Sequence, residues 1–366
     1  MVPNIFNDSI FLASYLGCLS LLPLVFLAHK ENQNARVFQL AIIVQCVGLA
    51  VFFLIFGGYS IDAWRYLTRF THNPFGYDEE WLFWLVGHFL NGTLPNPWPV
   101  KILSVLAVGL WVAAVIRAIG FNRKEALVLG LALLPLMPAF FFAMGNAIRQ
   151  GLAAVIVLHA ILFFVKGKKW QFGALAITGV LVHQVSLVFV IAGAFVRAPR
   201  KLIWFFLIMA PFVSFGVTII LELWGINLAD YVRYGYRDDG QYHYLKFAVY
   251  FIMAIGLLIF STKSEVPNHI VLLINAFALT VGCASLLLMY EVPFERILLY
   301  ADVLLPIVIA MVLTGLKLRA RSKQLLWSGV LCLGLLLWTS DAVKRTLTAG
   351  IAHVEDGRIE SYQIPD

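Results

Sequence analysis

Charge is what this chain has least of. Only 13% of its 366 residues are charged, against 61% hydrophobic, and the mean hydropathy is +0.87. That scarcity excludes an ordinary soluble domain, in which about a quarter of residues carry charge. Cysteine is sparse as well. Cys18, Cys46, Cys283 and Cys332 each sit inside an apolar run, at no metal-ligand spacing, so they read as small packed hydrophobes and say nothing about redox compartment. There is no Gly-rich phosphate loop, no HExxH pair and no GxSxG nucleophile elbow. The chemistries that need those motifs are set aside, and no metal or cofactor is implied. No internal repeat, low-complexity tract or soluble domain interrupts the chain, which reads as one integral membrane domain over 1–366.

What is present is a series of apolar runs long enough to cross a bilayer. The fold class is therefore an all-α polytopic membrane protein. About ten spans are expected, near 9–28, 38–56, 99–119, 125–144, 147–165, 202–222, 244–261, 269–289, 297–316 and 324–340. Pro135, Pro138, Pro211 and Pro306 are expected to kink their helices. The first run has no basic segment before it and Lys30 after it, which disfavours a cleaved signal and puts its N-terminus outside. The net charge of +7 and pI of 9.2 do not point to nucleic acid, because the basic residues form short clusters between apolar runs. That pattern encodes orientation.

The stretch 170–196 is long enough for one span, yet it lies between Lys166, Lys168, Lys169 and Arg197, Arg200, Lys201. A single crossing would put one basic cluster on the wrong side. The alternative is a re-entrant or broken helical hairpin that turns near His183. Arms of about 13 residues would reach ~20 Å, past the middle of a ~30 Å core. With the hairpin, most basic loop residues fall inside, but of the 20 acids only Glu31, Glu125 and Glu265 do. Outside fall a loop at 57–100, a second at 225–242 and a tail at 341–366. DEEWLFWLVGHFLNG in the first loop suits a short interfacial helix, with Trp81, Phe83, Trp84 and Phe89 in that layer.

Arg149 interrupts the apolar run FFFAMGNAIRQGLAAVIVLHAILFFV. An arginine in a span is disfavoured by roughly 2.5 to 3.5 kcal/mol, so it asks for a reason. It is an anion-binding group at a helix start, with Gln150 beside it, or a topology-setting residue near a water-facing turn. His183, at the hairpin tip, converges on it from the opposite side in this topology, or else is a hydrogen-bonded core histidine. Glu295, Arg296 and Tyr300 cluster at the outer end of the ninth span, where Glu295 and Arg296 could equally be a plain interfacial pair. Asp62 and Arg65, three apart, and the acids Glu79 and Glu80 lie in the first loop. Tyrosines with Arg233 and Arg237 fill the second, a composition suited to a glycan-binding lid or to an interfacial aromatic belt. An outer face rich in arginine is a natural partner for a diphosphate, whose anionic oxygens match forked donors.

At these residues the sequence resembles the EpsG and Wzy-like family of bacterial polysaccharide polymerases, integral membrane glycosyltransferases related to the GT-C class. The resemblance covers most of the chain. It rests on Asp62 and Tyr66, on Glu79 and Glu80 before an aromatic helix, on Arg149-Gln150, on His183 with Ser186, and on Arg296 with Tyr300. Glu79-Glu80-Trp81 stands where many relatives would carry a Glu-Pro-Gly-like run. The resemblance implies transfer of an undecaprenyl-diphosphate-linked glycan onto a second lipid-linked repeat unit, at the periplasmic face of the inner membrane. It implies a lipid-linked donor and acceptor as partners, with a chain-length regulator as a further one. Arg149, Gln150 and Arg296, with Tyr300, Arg65, Arg233 and Arg237, are the expected substrate-binding groups. His183, Asp62, Glu79, Glu80 and Glu295 are the alternative candidates for the general base, with no metal. An O-antigen-ligase-like transferase and a lipid-linked glycan transporter or flippase remain as alternatives.

Overall fold

The computed structural model describes residues 35–56, 61–72, 80–120, 123–134, 137, 142–224, 242–263 and 266–315. All regular structure among them is helical: α1 Ala35–Phe56, α2 Ile61–Phe70, α3 Trp81–Thr93, α4 Trp98–Ile119, α5 Lys124–Leu133, a π-turn Phe142–Asn146, α6 Ile148–Val165, α7 Lys169–Val182, α8 Ser186–Ala194, α9 Arg200–Leu223, α10 Tyr242–Lys263, α11 Asn268–Ser285 and α12 Glu291–Gly315. Six of these helices, α4, α6, α9, α10, α11 and α12, are long and apolar enough to cross a membrane. Two shorter apolar segments, Ile42–Leu54 and Lys169–Val182, accompany them. This is a multi-pass helical membrane architecture. The expected spans at 9–28 and 324–340, the loop 225–241 and the tail 341–366 lie outside the described residues.

The expected span at 125–144 is not one helix. Helix α5 stops at Leu133, Met137 is non-helical, and the next element among the described residues is the π-turn Phe142–Asn146. Pro135 and Pro138 lack the N–H a helix needs and disfavour helical backbone in the residue before each. The buried Gln45 amide donates to the Leu131 carbonyl at 3.1 Å, giving the last turn of α5 a partner from α1.

The described residues fall into two compact units. The first runs up to Val155 and includes Leu181–His183; the second comprises Ile156–Val180 and Gln184–Gly315. In the first, α1 packs on α4, α2 on α3, and the π-turn on α2 and α4. Phe83 and Trp84 are buried, whereas Trp81 and Phe89 remain exposed, so the helix of the first loop splits its aromatics between core and surface. Tyr66 and Phe70 of α2 meet Phe83 and Trp84 at centroid distances of 5.2 to 6.1 Å. Gly87 lets the Phe70 ring close onto α3, since a Cβ there would stand 1.9 Å from it.

In the second unit α11 is central, touching α8, α9, α10 and α12. The most apolar windows of α11 and α12 are 78% buried, against 33% for α9 and 17% for α10, so the latter two carry more of this unit's exposed apolar surface among the described residues. Leu202, Phe205, Phe212 and Ile219 of α9 are exposed on that surface. Helices α7 and α8 form a hairpin. Arg197, just past α8, donates to the Phe164 and Val165 carbonyls at 3.1 and 3.4 Å, which brings the exit of the hairpin back to the residues preceding its entry. Asn275 fixes the same exit through the Val196 carbonyl at 2.9 Å.

Candidate functional site

The first unit gathers a buried polar group at the start of α6. Glu80 ends the chain segment entering α3 and adopts a left-handed backbone, φ 61° and ψ 29°. A non-glycine residue held there costs of order 1–3 kcal/mol, and such strain concentrates at functional sites. Its side chain is 6% exposed. One carboxylate oxygen accepts a hydrogen bond from Nδ1–H of His183, and the other pairs with Nη1 of Arg149. His183 is equally buried, while the Arg149 side chain keeps 24% of its surface accessible.

Each partner arrives for a local reason. Arg149 is the second residue of α6, where Gly151 allows the helix to seat against the π-turn: a Cβ on Gly151 would lie 2.2 Å from the Ala143 carbonyl oxygen. His183 follows the last residue of α7, at the break before α8. Trp84, one turn into α3, lies under the Arg149 guanidinium at 5.2 Å from the ring centroid, close enough for cation–π attraction. The Tyr66 hydroxyl lies against the Arg149 main chain. Burial first, and then the negative charge of Asp62, push the Tyr66 phenol above its ordinary range, so it serves as a neutral polar support.

The chemistry of this arrangement follows from its donors. Glu80 orients the imidazole through Nδ1, the carboxylate–histidine pairing that suits acid–base chemistry. Arg149 pairs with Glu80 through Nη1, and about a quarter of its side-chain surface, 24%, stays accessible. A carboxylate, a histidine and a partly accessible guanidinium thus stand together. Among the described residues no group of three His, Cys, Asp or Glu side chains is placed to hold a metal ion.

The other expected residues are distributed differently. Gln150 is buried next to Arg149. Asp62 and Arg65 pair with each other at 3.3 Å on exposed surface of α2. Glu295 pairs with Lys246 at 3.3 Å in the second unit, where Arg296 is exposed and Tyr300 is fully buried against Phe189, with ring centroids 5.3 Å apart. Glu79, Arg233 and Arg237 lie outside the described residues. Two participants carried no signal of their own in the sequence: Trp84, expected only as an interfacial aromatic, and Arg69, whose guanidinium also lies over the Trp84 ring at 5.5 Å. No spacing along the chain marks Arg69, because its contact depends on how α2 packs on α3.

Fold and site together define a multi-pass membrane protein with a buried Glu–Arg–His group. The family model described as "EpsG family" matches residues 39–346, and the chain belongs to that family. No curated protein and no solved structure matches it.

Proposed function

We propose that the protein is a polysaccharide polymerase that transfers an undecaprenyl-diphosphate-linked glycan onto a second lipid-linked repeat unit at the periplasmic face of the inner membrane. Membership of the EpsG family and the apolar helices support a membrane protein of polysaccharide biosynthesis. The observation that carries the chemistry is Glu80 held between Arg149 and His183, with part of the guanidinium fork open.

In this reading Arg149 binds the diphosphate of the donor. An acceptor hydroxyl gives its proton to His183 as its oxygen bonds to the anomeric carbon. The bond from that carbon to the diphosphate oxygen breaks, and the diphosphate departs with the bonding pair. Negative charge grows on the leaving group in the transition state, where a fixed arginine stabilises it more than in the ground state. Glu80 acts through its two partners, orienting the imidazole and fixing the guanidinium. Arginine supplies the charge compensation, so the reaction proceeds without added divalent metal.

The test is product analysis with the purified protein in lipid vesicles and lipid-linked oligosaccharide as the sole substrate, with and without chelator. Long glycans on lipid diphosphate, formed in both conditions, are the expected result. Movement of the oligosaccharide across the bilayer with no new glycosidic bond would replace this reading with transport.

A further inference from the structure

The base of the α7–α8 hairpin, in the second unit, gathers cations that the group around Glu80 does not use. Lys168, Lys169, Arg197 and Lys201 are all exposed among the described residues, and the segments that carry them, 166–172 and 195–204, contain no acid. The two segments meet through Arg197. Its Nη2 donates to the Phe164 carbonyl at 3.1 Å, and the same oxygen accepts the Gly167 N–H at 2.9 Å. The Arg197 guanidinium therefore stands against the turn, left-handed at Gly167 with φ 78°, that leads into Lys168 and Lys169. Depth follows from the spans: α6 ends at Val165 and α9 begins at Arg200, so the hairpin base lies where two membrane-length apolar helices end.

These lysines do nothing for the helices they begin. Lys169 opens α7 and Lys201 is the second residue of α9, positions at which the helix dipole favours acids and opposes a positive side chain. Apolar side chains are exposed beside them, Trp170 at 90%, Phe195 at 59% and Leu202 at 58%. Cations interleaved with apolar groups at the end of a span fit an amphiphile. The charges attract its phosphate, the indole suits the headgroup layer, and Phe195 and Leu202 suit its acyl chains. A soluble anion would engage the charges and leave those three side chains unused. Attraction to a headgroup acts over about a Debye length, ~10 Å, so the lysines need not converge on one oxygen.

We propose that the base of this hairpin is a binding site for an anionic phospholipid, with Lys168, Lys169 and Lys201 supplying the charge and Arg197 holding the two segments together. The site is independent of the polymerase reading.

The experiment titrates the full chain in detergent with fluorescent phosphatidylglycerol and phosphatidylcholine, using inorganic phosphate and a polyglutamate peptide as competitors. The wild type is expected to hold phosphatidylglycerol at least about tenfold tighter than phosphatidylcholine, an advantage that shrinks as salt is raised. Lys169→Gln and Lys201→Gln should each cut that advantage by up to about fivefold, the factor one cation near a membrane surface contributes. Phosphatidylcholine binding and unfolding temperature should stay at wild-type values in both, which certifies their folds. Lys169→Arg keeps the charge and should keep the advantage. No preference in the wild type, an unchanged preference in both glutamine variants, or an equal loss in Lys169→Arg and Lys169→Gln overturns the lipid site. Displacement of phosphatidylglycerol by phosphate or polyglutamate at comparable concentration also overturns it, in favour of a soluble anion or an acidic protein.

Discussion

Glu80 accepts the Nδ1–H of His183 across 103 positions of sequence, and with its other oxygen it holds Arg149. A single carboxylate therefore sets the orientation of both the proposed base and the proposed anion site. Because it is buried and backbone-strained, its removal should disturb chemistry and stability in separable ways.

Glu80→Gln keeps the shape and removes the charge. Polymer formation should fall by about 10²- to 10⁴-fold, the usual range for losing a positioned acid–base group. Thermal stability should fall too, since breaking one side of a buried ion pair costs on the order of 3–5 kcal/mol. Adding Arg149→Met to Glu80→Gln should recover part of that stability by removing the unpaired charge, with no recovery of activity. Unfolding curves and product gels on the wild type and the two variants read both quantities; wild-type activity in Glu80→Gln would remove the carboxylate from the mechanism.

Arg149→Lys keeps the positive charge and loses the fork. A lysine can still reach Glu80, so folding should be little changed, but it cannot pair with Glu80 and present further donors to a phosphate in one plane. Polymer yield should drop at least about tenfold, and Arg149→Ala should abolish it. The outcome that sinks the arginine's role is full polymerising activity in both variants.

The hairpin and the convergence of Arg149 with His183 were legible because charge is so rare in this chain. The basic clusters around 170–196 argued against a single crossing, and the hydrogen bond from Arg197 to the Phe164 carbonyl brings the two ends of that segment together. What the sequence could not specify was which carboxylate joined them. Asp62, Glu79, Glu80 and Glu295 were equivalent by composition, and it is Glu80, at its left-handed turn, that pairs with Arg149 and His183. Arg69 was invisible for a similar reason, since cation–π contact with Trp84 depends on how α2 packs on α3, not on spacing along the chain. The break after Leu133 is not legible in the sequence, because a proline pair in an apolar run reads as a kinked helix as readily as an interrupted one.

In the second unit, Asp302 is 2% exposed on α12 and accepts a hydrogen bond from the Tyr250 hydroxyl of α10. Tyr250→Phe deprives the carboxyl group of that donor and should lower stability by about 1–3 kcal/mol. Asp302→Asn keeps an acceptor for the hydroxyl and removes the need to bury a carboxylate, so it should be the milder change. Thermal unfolding of the two variants in one detergent orders them. A larger loss in Asp302→Asn would mean the aspartate serves something other than this helix contact.

The close seat of α6 on the π-turn makes the sharpest steric prediction. A methyl at Gly151 would meet the Ala143 carbonyl oxygen at 2.2 Å and its carbon at 2.8 Å, and backbone cannot turn aside as a side chain can. Gly151→Ala must push the start of α6 away, carrying Arg149 off Glu80, so polymer formation and stability should fall together. Gly109 on α4 is the matched control: nothing lies within 4 Å of the added Cβ, and alanine there should leave activity intact and raise helix stability by up to about 1 kcal/mol. Equal behaviour of Gly151→Ala and Gly109→Ala, in unfolding temperature and in product yield, would mean that α6 does not depend on this contact to hold the arginine in place.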